Sequence, residues 1–187
     1  MKHTIVARVD NKPGVVSRIS GLFTRRGYNI ESLVTSVTGD PGVYHLTILV
    51  IGSEQEVELL INQLGRIMEV IDVHNVNEFA HVVRELMLIK VSCPVDKRSE
   101  ILSLADILKC RVVGIGTDSA VFEITGDESK LDTIIRSFEP MGIMEIVRSG
   151  AIAIASPVRG TALTLFLTIA QQIGVLGAGL FFLFYRF

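Results

Sequence analysis

Apolar and polar residues alternate over residues 4–9, which predicts a short strand, and the spacing then changes. Val15, Val16, Ile19, Leu22 and Phe23 fall three and four apart, the period of a helix with one buried stripe. Arg25 and Arg26 followed by Gly27 predict its end, because basic residues suit the negative end of the helix dipole and glycine accepts a left-handed cap. Two β-rich runs follow at 30–38 and 43–51, joined by Gly39, Asp40, Pro41 and Gly42, which is turn chemistry between hairpin strands. Ser53 with Glu56 is a capping box, and Val57, Leu60, Ile61, Leu64 and Ile67 form the stripe of the helix it opens. A strand at 70–76 closes the unit.

After a polar joint at 75–81 the order strand, helix, strand, strand, helix, strand is written again. Residues 85–92 predict a strand, and Ile101, Leu104, Ala105 and Leu108 mark a helix over 99–108. Residues 111–115 with 120–125 predict a hairpin, Asp127 caps a helix with the stripe Leu131, Ile134, Ile135 and Phe138, and 143–147 is the last strand, with 152–155 as an extension. The expected fold is therefore α+β: two tandem ferredoxin-like βαββαβ domains, at 1–78 and 79–158, with an apolar C-terminal tail at 159–187. Each unit packs two helices on one face of a four-stranded sheet and leaves the other face needing cover, so a dimer or a partner is expected.

Composition narrows the class. The 187 residues carry 18 Lys and Arg against 20 Asp and Glu, a net charge of -2 without the basic excess of a nucleic-acid binder. Cys93 and Cys110 stand too far apart for a zinc ligand pair or a disulfide framework, and the N-terminus shows no signal or transit pattern, so a reducing cytoplasm is expected. Mean hydropathy is high at +0.47, and the excess sits in the tail, where residues 160–185 hold no charge over 26 positions. As a helix that stretch would run roughly 39 Å, enough to cross a hydrocarbon core of about 30 Å. A membrane anchor, a helix at an oligomer contact and a non-native extension are the competing readings of it.

Candidate chemistry concentrates in the first loop. Asp10, Asn11, Lys12, Pro13 and Gly14 lie between a strand end and a helix start, where free backbone N–H groups attract a carboxylate. Asn11 supplies both a donor and an acceptor, Gly14 lets a ligand approach the backbone, and Asn29 at the head of the second strand offers another polar contact. An α-amino acid needs both kinds of partner; the plain alternative is that Asn11 caps the helix and Asn29 makes a turn. His3, His45, His74 and His81 lack the spacing of paired metal ligands, so no metal site is expected. Cys93 has no matched base, and Gly114 with Gly116 falls at a hairpin and lacks the third glycine of a dinucleotide loop. The outline is shared with RNA-recognition domains, but their basic-aromatic stacking strand is missing.

The run from Asn11 to Ile19, continued from Gly21 through Tyr28, Asn29 and Ile30 to Leu33, closely resembles the opening of acetolactate synthase (acetohydroxyacid synthase) small regulatory subunits, which are built on an ACT domain. Residues 84–91 resemble the start of that family's second domain, and Arg148, Ser149 and Gly150 a motif near its end, so the resemblance covers about residues 1–156. It implies a chain without catalytic residues that activates a separate catalytic large subunit holding thiamine diphosphate, FAD and magnesium. It also implies a homodimer through the ACT domains and feedback inhibition by valine or a related branched-chain amino acid, since one methylene is worth only ~1–3 kcal/mol of selectivity. Asn11, Gly14, Asn29 and Ile30 match the family's effector-contact positions, and Lys12, Pro13 and Val15 complete the candidate set. A free-standing ACT-type sensor of some other protein is the rival function.

Overall fold

A computed structural model describes residues 1–156. The apolar tail lies outside the described residues, and among those described no helix is long and apolar enough to cross a membrane.

The first unit runs β1 (Lys2–Asp10), α1 (Val15–Arg26), β2 (Ile30–Val37), β3 (Val43–Ile51), α2 (Glu54–Leu64) and β4 (Val70–Asn75). Its antiparallel sheet has the order β2-β3-β1-β4. Alternation on β1 sends Ile5, Ala7 and Val9 towards the helices, where they are fully buried with Ile19 and Phe23 of α1 and Leu60 and Leu64 of α2. Each large apolar side chain so buried stabilises the fold by roughly 1.5–3 kcal/mol, offset by the entropy of ordering it. Gly27 ends α1 at φ 73°, where its N–H and that of Tyr28 reach back to the carbonyls of Thr24 and Phe23. Ser53 and Glu56 form both halves of the capping box that starts α2. Ile67 lies beyond α2, which stops at Leu64, yet still packs on the same core.

The second unit repeats the order with β5 (His81–Ser92), α3 (Arg98–Ile107), β6 (Arg111–Ile115), β7 (Ser119–Gly126), α4 (Glu128–Phe138) and β8 (Ile143–Arg148), and its sheet has the order β6-β7-β5-β8. Met87, Ile89 and Val91 of β5 pack against Ile101, Leu131 and Ile134, while Phe122 stacks on Phe138 with centroids 5.2 Å apart. Both cysteines are free and buried. Gly116 closes the β6–β7 turn through its N–H to the Ser119 carbonyl at 2.7 Å.

Two features depart from the sequence pattern. The joint is not simply polar: Asn75 and Val76 are buried, a 3₁₀ turn follows at Val76–Glu78, and β5 starts at His81, four residues before the predicted 85. That added length pairs with β9 (Ile152–Ala155), which continues the line of β8 after a break at 149–151. The β5–β9 ribbon then lies on the helix-free face of the first sheet. Ala153 and Val6 are buried together with Val76, Val83 packs on them, and the Ala153 N–H donates to Thr47 Oγ1 at 3.3 Å. The cover expected from a partner is thus supplied in part by the chain's own second half.

Candidate functional site

The loop 11–14 leaves the end of β1 and is held by the neighbouring hairpin. Asn11 N donates to the Gly42 carbonyl at 2.8 Å, and Asn11 Nδ2 to the Pro41 carbonyl at 3.0 Å. Lys12 Nζ sits 2.6 Å from Asp10 Oδ2, which raises the lysine's pKa through that hydrogen bond and keeps it cationic. Gly14 starts α1 at φ 84° with open space where a Cβ would stand. No side chain caps this helix and no acidic residue lies in its first turn, whereas Ser53 and Asp127 cap α2 and α4. Asn11 is therefore not a helix cap. The arrangement leaves backbone donors of α1 facing an exposed loop, next to one lysine, as a carboxylate requires.

Not every predicted contact residue is placed alike. Asn11, Lys12, Pro13, Gly14 and Asn29 are exposed. Val15 is only 2% exposed and packs in the core with Ile19 and Phe23. Ile30 is partly buried on the same core, and Asn29 Nδ2 donates to Glu31 Oε1 at 2.7 Å. The loop and Asn29 also lie at opposite ends of the sheet. Asp10 is level with Val43 on β3, and Ile30 with Val50, seven positions further along. At ~3.3 Å per residue that is about 23 Å. A single amino acid cannot touch Asn11 and Asn29 of one chain; a ligand meeting both kinds of residue needs two chains.

Comparisons with known proteins agree over both halves. Residues 5–72 match the family model described as the AHAS small subunit-like ACT domain, and residues 84–157 that of the small subunit of acetolactate synthase. A probable acetolactate synthase small subunit of Archaeoglobus fulgidus is 44% identical over 153 residues, covering 82% of this chain and 96% of that protein. The chain belongs to the acetolactate synthase small-subunit family. The acetolactate synthase small subunit of Aquifex aeolicus is 39% identical over 81% of this chain and 80% of its own length. Among solved structures, the acetolactate synthase small subunit of Thermotoga maritima superposes with a TM-score of 0.76 at 33% identity, covering 83% of this chain and 98% of that one.

The groups that sequence spacing passed over form two clusters, one in each half of the chain. Glu85, 8% exposed, accepts from Arg148 Nη2 at 2.5 Å and Nε at 3.0 Å, and from the Gly150 N–H at 3.1 Å. Arg148 also reaches Asp132 on α4 at 3.2 Å. On the helix-free face of the first sheet Arg8 pairs with Asp72, and His45 stands near both and near His74. Burial, and then His74, push the His45 pKa down. His3 is buried, its Nδ1 3.3 Å from Asn75 Nδ2. Among the described residues no group of three or more His, Cys, Asp or Glu is placed to hold a metal ion. Burial raises the Cys110 pKa, the opposite of what a nucleophile needs. Nothing in the spacing of Glu85 and Arg148 announces their pairing; the register of β5 against β8 creates it.

Proposed function

We propose that this chain is the regulatory subunit of an acetolactate synthase, activating a separate catalytic subunit and conferring feedback inhibition by valine or another branched-chain amino acid. The observation that carries this is the match of both halves, in order and over nearly the full length of a relative, to small subunits of that enzyme. In this reading thiamine diphosphate, FAD and magnesium belong to the catalytic partner, in the cytoplasm, and this chain contributes binding energy and no reacting group.

The uncapped start of α1 supports the effector half of the proposal. The amino acid's carboxylate would meet the backbone N–H groups of the first turn of α1, displacing the long 3.4 Å bond from the Val15 N–H to the Lys12 carbonyl, with Asn11 a polar contact and Lys12 shared with Asp10. Asn29 and Ile30 would come from the second chain of a homodimer, because about 23 Å separates them from Asn11 within one chain. Binding between two chains makes the effector a selector of dimer arrangement. An amino acid that prefers one arrangement shifts the population, typically with ~1–3 kcal/mol of coupling.

The test is reconstitution. The purified chain is mixed with the catalytic subunit from the same genome, and acetolactate formation is followed with and without valine, leucine and isoleucine. A rise in rate on mixing, reversed by at least one of the three, is expected. No rate change in any mixture rejects the regulatory role, and a rate rise insensitive to all three rejects the effector assignment.

A further inference from the structure

Gly150 sits in the break between β8 and β9, at φ 79°, and its position is held from the second half of the chain. Its N–H donates to the nearly buried Glu85 carboxylate, which Arg148 grips from the other side. Ser149 adds two bonds to the β5 backbone at Leu86, at 2.9 Å through its N–H and 3.1 Å through its Oγ. The tip of this anchored turn presses on the first half. A Cβ on Gly150 would stand 2.6 Å from Val34 Cγ2 and 2.8 Å from Ser32 Oγ, both inside van der Waals contact. Only glycine meets both demands, the left-handed φ and the close approach.

Ser32 and Val34 belong to β2, whose first residue is Ile30. The strand that the turn touches is therefore the strand that begins at the effector candidates Asn29 and Ile30. Three residues further on, Ala153 is bonded to Thr47 of β3 and packed on Val6 of β1, so the same segment grips the sheet beyond β2 as well. Ile30 packs on the helix-side core while Ser32 and Val34, beyond a bulge, face the other way, so a change at the head of β2 reaches the second half along the strand's backbone: Ile30 to Ser32 and Val34, then Gly150, then Glu85 and Arg148.

We infer that the contact of Gly150 with Ser32 and Val34 is the coupling point through which effector occupancy at the head of β2 is passed to the second domain. This rests on the effector reading proposed above. The physical warrant is a rigid, fully anchored turn in steric contact with the strand that the ligand would touch; a displaced β2 must move the turn or lose the contact. Gly150 is a positioning residue in this scheme and touches no ligand.

The experiment uses the full chain with its catalytic subunit and two variants. Gly150→Ala adds a methyl that cannot fit and drives the turn off β2; Val34→Ala removes the methyl groups the turn rests on without backbone strain. For each variant three quantities are measured: activation of the catalytic subunit, the valine concentration for half inhibition, and valine binding to the regulatory chain alone by calorimetry. The inference expects activation retained, binding to the chain alone within about two-fold of the parent, and half inhibition shifted upwards by about five-fold or more, the lower end of usual allosteric couplings. If Gly150→Ala does not fold, Val34→Ala decides. An unchanged inhibition curve in a folded variant overturns the inference while leaving the proposed function intact. Loss of binding in parallel with inhibition also overturns it, since the contact would then shape the site itself. A parent chain that neither binds nor responds to a branched-chain amino acid overturns the effector reading and this inference together.

Discussion

Replacing Gly14 isolates the charge of the bound ligand from the strain of the loop. At φ 84° any L-residue is strained by ~1–2 kcal/mol, and the open space around the glycine adds no steric clash. Gly14→Ala and Gly14→Asp share that cost. The aspartate tolerates the left-handed region better and places a negative charge at a helix start, worth ~0.3–1 kcal/mol in favour of folding. Gly14→Asp is therefore expected to unfold at a temperature no lower than Gly14→Ala. For a carboxylate ligand the order reverses. A like charge about 4 Å away repels by ~1 kcal/mol in bulk water and ~4 kcal/mol at an effective dielectric of about 20, which is a weakening of roughly five-fold to a thousand-fold. The upper figure applies if a second chain covers the site. Valine titrations by calorimetry on both variants, with melting curves alongside, measure the difference directly. Equal affinity of the two variants, within about two-fold, would refute the placement of the effector carboxylate at the start of α1.

Glu85→Ala should cost about 2–3 kcal/mol in urea unfolding, because it removes two charge-assisted bonds to Arg148 and leaves the Gly150 N–H unpaired, while Arg148 keeps Asp132 and some water. Lys2→Ala, at the exposed pair with Glu128, should cost no more than ~0.5 kcal/mol in the same assay; similar losses for the two would show that burial does not distinguish the pairs. The depressed pKa of His45 means that the folded state holds its proton less firmly than the unfolded chain. Its contribution is thus fully present above the unfolded value near 6.5 and is lost as pH falls through the lower folded value. Melting temperatures of the parent should fall more steeply from pH 7 to pH 5 than those of His45→Gln, and parallel curves would exclude that histidine as a source of the slope. A chain cut after Arg159 should keep activation and valine inhibition and sediment less on centrifugation, since the matched family models end at residue 157 and the removed stretch is uncharged up to Arg186. Loss of activation on truncation would assign the tail to the working protein.

Local rules carried most of the secondary structure. The i, i+3, i+4 spacing from Val15 to Phe23, the capping box at Ser53 and Glu56, the glycine at 27 and the turn residues at 39–42 each act within a few residues, so their outcome is written in the chain itself. The doubled βαββαβ order follows from them, and with it the α+β class. The position of loop 11–14 between a strand and a helix was legible for the same reason. Its missing cap was not: Asn11 is a good capping residue, but α1 starts at Val15 with Gly14 in the capping position, and Asn11, three residues earlier, bonds to Gly42 and Pro41 instead. Val15 was legible as part of a helical stripe, but its two possible duties, core and ligand contact, were separated only by packing against the sheet. Register between distant strands decided the rest. It set Asn11 and Asn29 at opposite ends of one sheet, closed Glu85 on Arg148, and laid Gly150 and Ala153 over strands more than a hundred residues earlier. Such pairings depend on the twist and alignment of whole sheets, and no window of neighbouring residues contains that information.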